Sequence, residues 1–277
     1  MKNLFNPKSV SCIFFFSIIS FELFSQSVPK IQEISLRAPA NIKIDGKTSE
    51  WPDDKLQAYN YTDGIWYTIS NDDNKLYLTI RAPYRDTPDK IMTGGLTFTV
   101  SPHLEKKDRE KSLDNVSIKF PIIDSKVSQG IINSTHFFED IKRDTIANRL
   151  KLDLLVRTVN KKAIDAFKEI QVTGIKDIKD SIISIYNSEG IAAMGLFNRR
   201  MALTYELAIP LKYLGISLDD PARISYNIKV NGRPETPIKP GMKKGINEDA
   251  LNPTSDYFFR MTSTDFWGEY KLAKKRD

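Results

Sequence analysis

A period of two in the hydrophobic pattern constrains this chain more than any other feature. Leu76, Leu78 and Ile80 fall on one side of an extended backbone while Tyr77, Thr79 and Arg81 fall on the other. The same alternation recurs in Leu96, Phe98 and Val100, in Val116, Ile118 and Phe120, and in Leu203, Tyr205, Leu207 and Ile209. In Ile224, Tyr226, Ile228 and Val230 the opposite side carries Ser225, Asn227, Lys229 and Asn231. Successive side chains of a strand point to opposite faces, so each run has one apolar and one polar face. That pattern predicts antiparallel sheets packed on one side. The expected class is mainly β, a two-sheet antiparallel sandwich of jelly-roll or immunoglobulin-like type.

Turn chemistry separates the runs. Asn71-Asp72-Asp73-Asn74 stands between residues 66–70 and 75–81 and predicts a hairpin, because these side chains tolerate left-handed backbone and bond to it. Gly94-Gly95 and Asn231-Gly232-Arg233-Pro234 punctuate later, and Pro237, Pro240, Gly241 and Gly245 predict a long loop over residues 234–253. The middle differs. Ile146, Leu150, Leu154, Leu155, Val159, Ala163, Ile164 and Phe167 recur at intervals of three and four, which predicts amphipathic helix over residues 144–170. A strand over residues 152–156 leading into a shorter helix from Lys161 is the alternative. Either way the segment reads as a helical insertion, bounded by residues 124–180, in one sandwich domain over residues 26–277.

Residues 1–25 read as a secretory signal peptide: Lys2 and Lys8 precede an apolar run through Ile13-Phe14-Phe15-Phe16, and Ser25 and Ser27 offer a cleavage site. An exported product in the periplasm, on the cell surface or in the medium is expected. The one cysteine, Cys12, lies inside this leader, so the remaining chain is expected to rely on its core without disulfides. No later stretch approaches the roughly 20 apolar residues of a transmembrane helix, so no integral membrane segment is expected beyond the leader. The formal charge of +6 is interspersed with acids, as in Glu105-Lys106-Lys107-Asp108-Arg109-Glu110-Lys111, and Lys274-Lys275-Arg276 is a small basic cluster. No nucleic-acid partner is expected.

Three short motifs occur in a defined order. Ile44-Asp45-Gly46 followed by Glu50-Trp51 opens the series, residues 75–81 form the alternating strand, and Tyr205-Glu206-Leu207-Ala208-Ile209-Pro210-Leu211 comes late, ahead of Asp265-Phe266-Trp267-Gly268-Glu269-Tyr270. This order resembles the family 9 carbohydrate-binding modules and their relatives. The resemblance implies a β-sandwich, bound calcium in many members, and two aromatic rings that grip a sugar at a chain end. It implies a packed Trp51, and it places Arg81 and Arg85 near the position of a polar, sugar-contacting residue.

Sugar recognition needs an exposed aromatic face for the C–H side of a pyranose and convergent polar groups for its hydroxyls. Trp66 and Tyr67 alternate, so one is core and the other exposed. Trp267 lies beside Asp265 and Glu269. The candidate ligand-binding residues are therefore Trp66, Arg81, Arg85, Asn231, Asp265 and Trp267. Asp72 and Asp73 are the candidate calcium ligands, with Asp45 or Asp63 as partners in space. Catalysis is not expected: His103 and His136 are the only histidines, and neither a Gly-x-Ser-x-Gly elbow nor His-Glu-x-x-His occurs. The expected activity is binding of a glycan or glycan end. The alternatives are an interaction protein that reuses the fold without a sugar site, or a haem b domain drawing on His103 or His136 with Met92, Met194, Met201, Met242 or Met261.

Overall fold

A computed structural model describes residues 28–51, 55–140, 145–218, 223–234 and 255–275, without the side chains of 139–140 and 255–257. The expected leader, most of the expected long loop, Met242 and Arg276 lie outside these residues. The strands are β1 (Ala58–Asn60), β2 (Ile65–Asn71), β3 (Lys75–Ala82), β4 (Leu96–Ser101), β5 (Val116–Phe120), β6 (Glu169–Thr173), β7 (Ile182–Ser184), β8 (Ala192–Phe197), β9 (Leu203–Pro210), β10 (Arg223–Val230) and β11 (Thr264–Lys271). They form two antiparallel sheets, one in the order β1-β2-β3-β9-β8 and the other in the order β11-β10-β4-β5-β6-β7. The chain is mainly β and the sheets face each other as a sandwich.

The alternation explains the core. Tyr67, Ile69, Leu78, Ile80, Tyr205 and Leu207 of the first sheet are buried with Phe98, Ile118, Phe120, Tyr226 and Ile228 of the second. At its centre the Tyr67 and Tyr226 hydroxyls meet at 3.0 Å, and Tyr67 Oη also accepts the Gln32 N–H at 3.0 Å. Buried phenols need such partners, and this pair ties one sheet to the other.

One expectation fails at β9. All eight of its residues are buried, including Thr204, Glu206 and Ala208 on the polar side. The five-stranded sheet is packed on both faces because a strap, residues 31–51, runs along the edge of β2 through Arg37 and then lays Asp45, Gly46 and Thr48 over the outer side at Glu206 and Arg81. Gln32 clips the strap to β2, its Nε2 donating to Ile69 O at 2.8 Å and its Oε1 accepting Ile69 N–H at 2.7 Å. Trp51 is buried at the end of the strap.

Helices close the ends of the sandwich. α1 (Asp86–Gly94) crosses from β3 to β4, carrying Asp86 and Asp89 in its first turn, and stops at Gly94-Gly95. α2 (Lys106–Arg109) is a single turn, and α3 (Ser125–His136) is capped by Asp124, which accepts from the Lys126 and Val127 N–H groups. α4 (Ile146–Ala166) is one continuous helix capped by Thr145, so the alternative strand over residues 152–156 is not formed. The periodicity there predicts the helix but not its orientation. Val159 and Ala163 are buried and Leu152, Leu155 and Val156 partly so, whereas Ile146, Leu150 and Leu154 are exposed, because α4 packs against the core only from Leu152 onward and most deeply in its C-terminal half. Asn160 fastens that half by exchanging two hydrogen bonds with the Phe197 backbone, at 2.9 and 2.7 Å. Just beyond, Phe167 inserts beside Phe120, ring centroids 5.3 Å apart. α5 (Ser255–Met261) leads into β11. Among the described residues no helix is long and apolar enough to cross a membrane.

Candidate functional site

The register of the first sheet assembles a row of side chains across its outer face. Tyr59 of β1 pairs with Trp66 of β2, and Trp66 pairs with Arg81 of β3. Residues that pair across an antiparallel ladder share a face, so two aromatic groups and a guanidinium stand side by side. Tyr59 and Trp66 rings are 4.8 Å apart, and Tyr61, from the turn after β1, meets Tyr59 edge-on at 4.6 Å. The turn reverses on Asn60, whose Oδ1 accepts the Thr62 and Asp63 N–H groups, and this throws Tyr61 outward. Tyr61 is 74% exposed and Tyr84, just past β3, is 61% exposed. Partial burial and the neighbouring Tyr84 hydroxyl push the Tyr59 phenol up to about 12, which keeps it neutral and able to donate.

Two cations border these rings. Arg81 donates to Thr48 Oγ1 in the strap at 2.9 Å, which orients it. Arg85 Nη2 lies 2.8 Å from His136 Nδ1, and His136 Nε2 lies 3.1 Å from Asp89 Oδ2. A guanidinium only donates, so His136 accepts at Nδ1 and carries its proton on Nε2, where it donates to Asp89. Both ring nitrogens are thus engaged, and the Arg85–His136–Asp89 chain joins α1 to α3. Burial pushes the Asp89 carboxyl up, with His136 and Arg85 opposing that effect.

The expected ligand residues therefore separate into two groups. Trp66, Arg81 and Arg85 are brought together, and Tyr59, Tyr61 and Tyr84 join them without having been anticipated. Their signal in the sequence was the bracketing of Trp66 by Tyr59-x-Tyr61 and of Arg81 by Tyr84. Asn231, Asp265 and Trp267 lie on the other sheet. Asn231 donates to Gly95 O and Thr97 Oγ1 at 3.0 and 2.9 Å, a tie between strand ends. Asp265 accepts from Asn227 at 2.7 Å. Trp267 is half-buried with the Arg109 guanidinium 4.4 Å from its ring centroid. These two border a groove of about 540 Å³ that also takes in Arg223, Glu269 and strap residues 31–35.

The expected calcium ligands are occupied by the hairpin itself. Asp72 Oδ1 accepts the Asn74 and Lys75 N–H groups, both at 2.7 Å, Asp72 Oδ2 accepts the Tyr77 hydroxyl at 2.5 Å, and Asp73 pairs with Arg37 at 2.8 Å. Asp45 and Asp63 do not join them: Asp45 lies in the strap above Glu206, and Asp63 is buried near Lys90. Among the described residues no group of three or more His, Cys, Asp or Glu is placed to hold a metal. Of the haem candidates, Met92 and Met201 are buried in the core and His136 is engaged as above.

Comparison with protein families, with curated proteins and with solved structures gave no match.

Proposed function

We propose that this protein binds a glycan, without cleaving it, on the platform of Tyr59, Tyr61, Trp66 and Tyr84 bordered by Arg81 and Arg85. The observation that carries the reading is the clustering of four rings, two of them largely exposed, beside two oriented guanidinium groups. Exposed aromatic clusters of this size are unusual on a surface with no partner to cover them. A ring face takes the C–H side of a pyranose, and the phenol and guanidinium donors take its hydroxyls. An export leader at residues 1–25 fits a ligand met outside the cytoplasm.

Glycan-array screening of the leader-free protein, followed by calorimetry on the best ligand, tests the reading. Tyr61→Ala and Tyr84→Ala are expected to weaken binding by about tenfold each, the scale of a lost stacking contact. No bound glycan, or affinity unchanged in both variants, removes it. A protein-partner reading is favoured by one separate observation, the exposed stripe Ile146, Leu150 and Leu154 on α4, and a pull-down that depends on Leu150 supports that reading instead.

A further inference from the structure

The outer face of the six-stranded sheet carries a different chemistry. Its register aligns Asp265, Lys229, Thr97, Lys119 and Gln171 in one row, and Trp267, Asn227, Thr99, Ser117 and Thr173 in the next. Every side chain but one in these rows is a hydroxyl, amide or charged group, and Trp267 stands at the edge. Lys119 and Lys229 flank Thr97, and neither makes an ion pair or side-chain hydrogen bond among the described residues. The stem of Lys119 passes over Gly95, where a Cβ would stand 3.1 Å from its Cε. Asn231 donates to Thr97 Oγ1 at 2.9 Å, so the Thr97 hydroxyl proton is directed away from Asn231 as a donor. Three donors, two of them cationic, thus stand side by side along the row, and its one carboxylate, Asp265 beside Lys229, accepts from Asn227 and makes no ion pair among the described residues. Burial and the neighbouring Lys229 charge pull Lys119 downward, a repulsion that a bound anion relieves.

The row continues this donor set across the sheet. At its far edge the Arg109 guanidinium lies over Trp267 and makes no ion pair among the described residues; its Nη1 donates to Leu104 O at 3.2 Å and to Ser225 Oγ at 3.5 Å, and its Nε is buried. From β5 to β11 is three strand spacings, about 14 Å, long enough for several sugar units lying across the strands. Between the two cationic ends stand the hydroxyls of Thr99 and Ser117, 2.7 Å apart, and the Asn227 amide. We propose that this face is a second binding site, for an acidic polysaccharide chain whose carboxylate or sulfate groups dock at Lys119–Thr97–Lys229 and at Arg109. A hydroxyl and amide track with a single ring suits a polyhydroxylated chain; a nucleic acid strand calls for more stacking rings and more basic contacts. The site stands on the opposite sheet from the aromatic platform, so either fails without the other.

The test uses polygalacturonate, its fully methyl-esterified form, inorganic sulfate and duplex DNA as probes in calorimetry at two salt concentrations. Polygalacturonate is expected to bind, to weaken as salt rises, and to lose about tenfold in affinity in the double variant Lys119→Gln/Lys229→Gln. The Tyr61→Ala variant is expected to bind it as the unaltered protein does. In the unaltered protein, bound polygalacturonate is expected to shield Lys119 and Lys229 from acetylation, which gives a reading without any substitution. Equal binding of the methyl ester, tighter binding of DNA, binding of sulfate alone, or unshielded lysines overturns the proposal.

Discussion

Glu206 of β9 accepts the backbone N–H of Gly46 at 2.8 Å, and the same carboxylate oxygen accepts that of Asp45 at 2.9 Å. The early Ile-Asp-Gly and the late Tyr-Glu segments are therefore two halves of one clamp that fixes the strap to the sheet. Gly46 has φ +79°, and a Cβ there would stand 2.6 Å from Leu196 Cγ. A glycine is required both by the backbone and by the space.

Gly46→Ala is therefore expected to destabilise the fold by about 2–3 kcal/mol, combining left-handed strain with overpacking. Glu206→Ala strips the buried Gly46 N–H and the part-buried Asp45 N–H of their acceptor and is expected to lose a similar amount. Because both substitutions release the same strap, the double variant should lose less than the sum of the two in urea unfolding. Full additivity would show that the clamp does not act as a unit.

Burial pushes the Glu206 carboxyl up to about 8, against the opposing effect of the Gly46 and Asp45 N–H groups. The folded state thus holds its proton more tightly than the unfolded chain does. Its contribution to stability is full below the ordinary glutamate range and is lost as pH rises toward 8. Over that window stability should fall with a slope of at most about 1.4 kcal/mol per pH unit from this group. Glu206→Gln should flatten the decline, as measured by unfolding midpoints between pH 5 and 9.

Tyr61 separates binding from stability more cleanly than Trp66. At 74% exposure its truncation removes little buried surface, so Tyr61→Ala should leave the melting temperature unchanged while lowering glycan affinity. Trp66 contacts Tyr59 and lies over the sheet, so Trp66→Ala should lower both. A large melting shift in Tyr61→Ala would mean that the ring is a structural prop.

Lys90 on α1 is fully buried, donates to Thr264 Oγ1 at 2.8 Å and lies 4.3 Å from the Phe259 ring centroid. Desolvation lowers it to about 8, while the nearby buried Asp63 favours its charge. Lys90→Met should destabilise by about 2 kcal/mol or more by removing the cation that most offsets Asp63, Lys30 being the lesser one. Adding Asp63→Asn should restore part of that loss, because both charges are then gone. If the double variant is no more stable than Lys90→Met alone, the two groups are energetically independent.

Strands with a clean period of two were legible because the pleat dictates it: residues 75–81, 96–100, 116–120, 203–209 and 224–230 all fall within strands. β6, β7 and β8 were not, since Glu169-Ile170-Gln171 and Ala192-Ala193-Met194-Gly195 are too short or too bland for a pattern to rise above chance. α1 was also unread, although Asp86, Pro88 and Asp89 form a helix-start signature. Trp66 and Tyr67 fall on opposite faces, as alternation requires, with Tyr67 buried in the core and Trp66 half-buried on the outer side. What no single-sequence pattern carries is cross-strand neighbourhood. Tyr59 beside Trp66, and Lys119 beside Thr97 beside Lys229, are facts of register, and register follows from the folded sheets.

The two ends of the described chain are stitched together. The Tyr270 hydroxyl lies 2.9 Å from both Leu36 O and Asn71 Oδ1, Asn71 Oδ1 accepts the Ala273 N–H at 2.8 Å, and Arg37 donates to Ala273 O at 3.3 Å. A contact closing a loop of more than 200 residues forms only after both sheets exist, because its ordering entropy has no local reward. This seam is therefore the last part of the molecule to close and the first to reopen. Hydrogen exchange at the Ala273 and Leu36 amides should report that opening ahead of any strand, and trimming a few residues from either side should loosen the other.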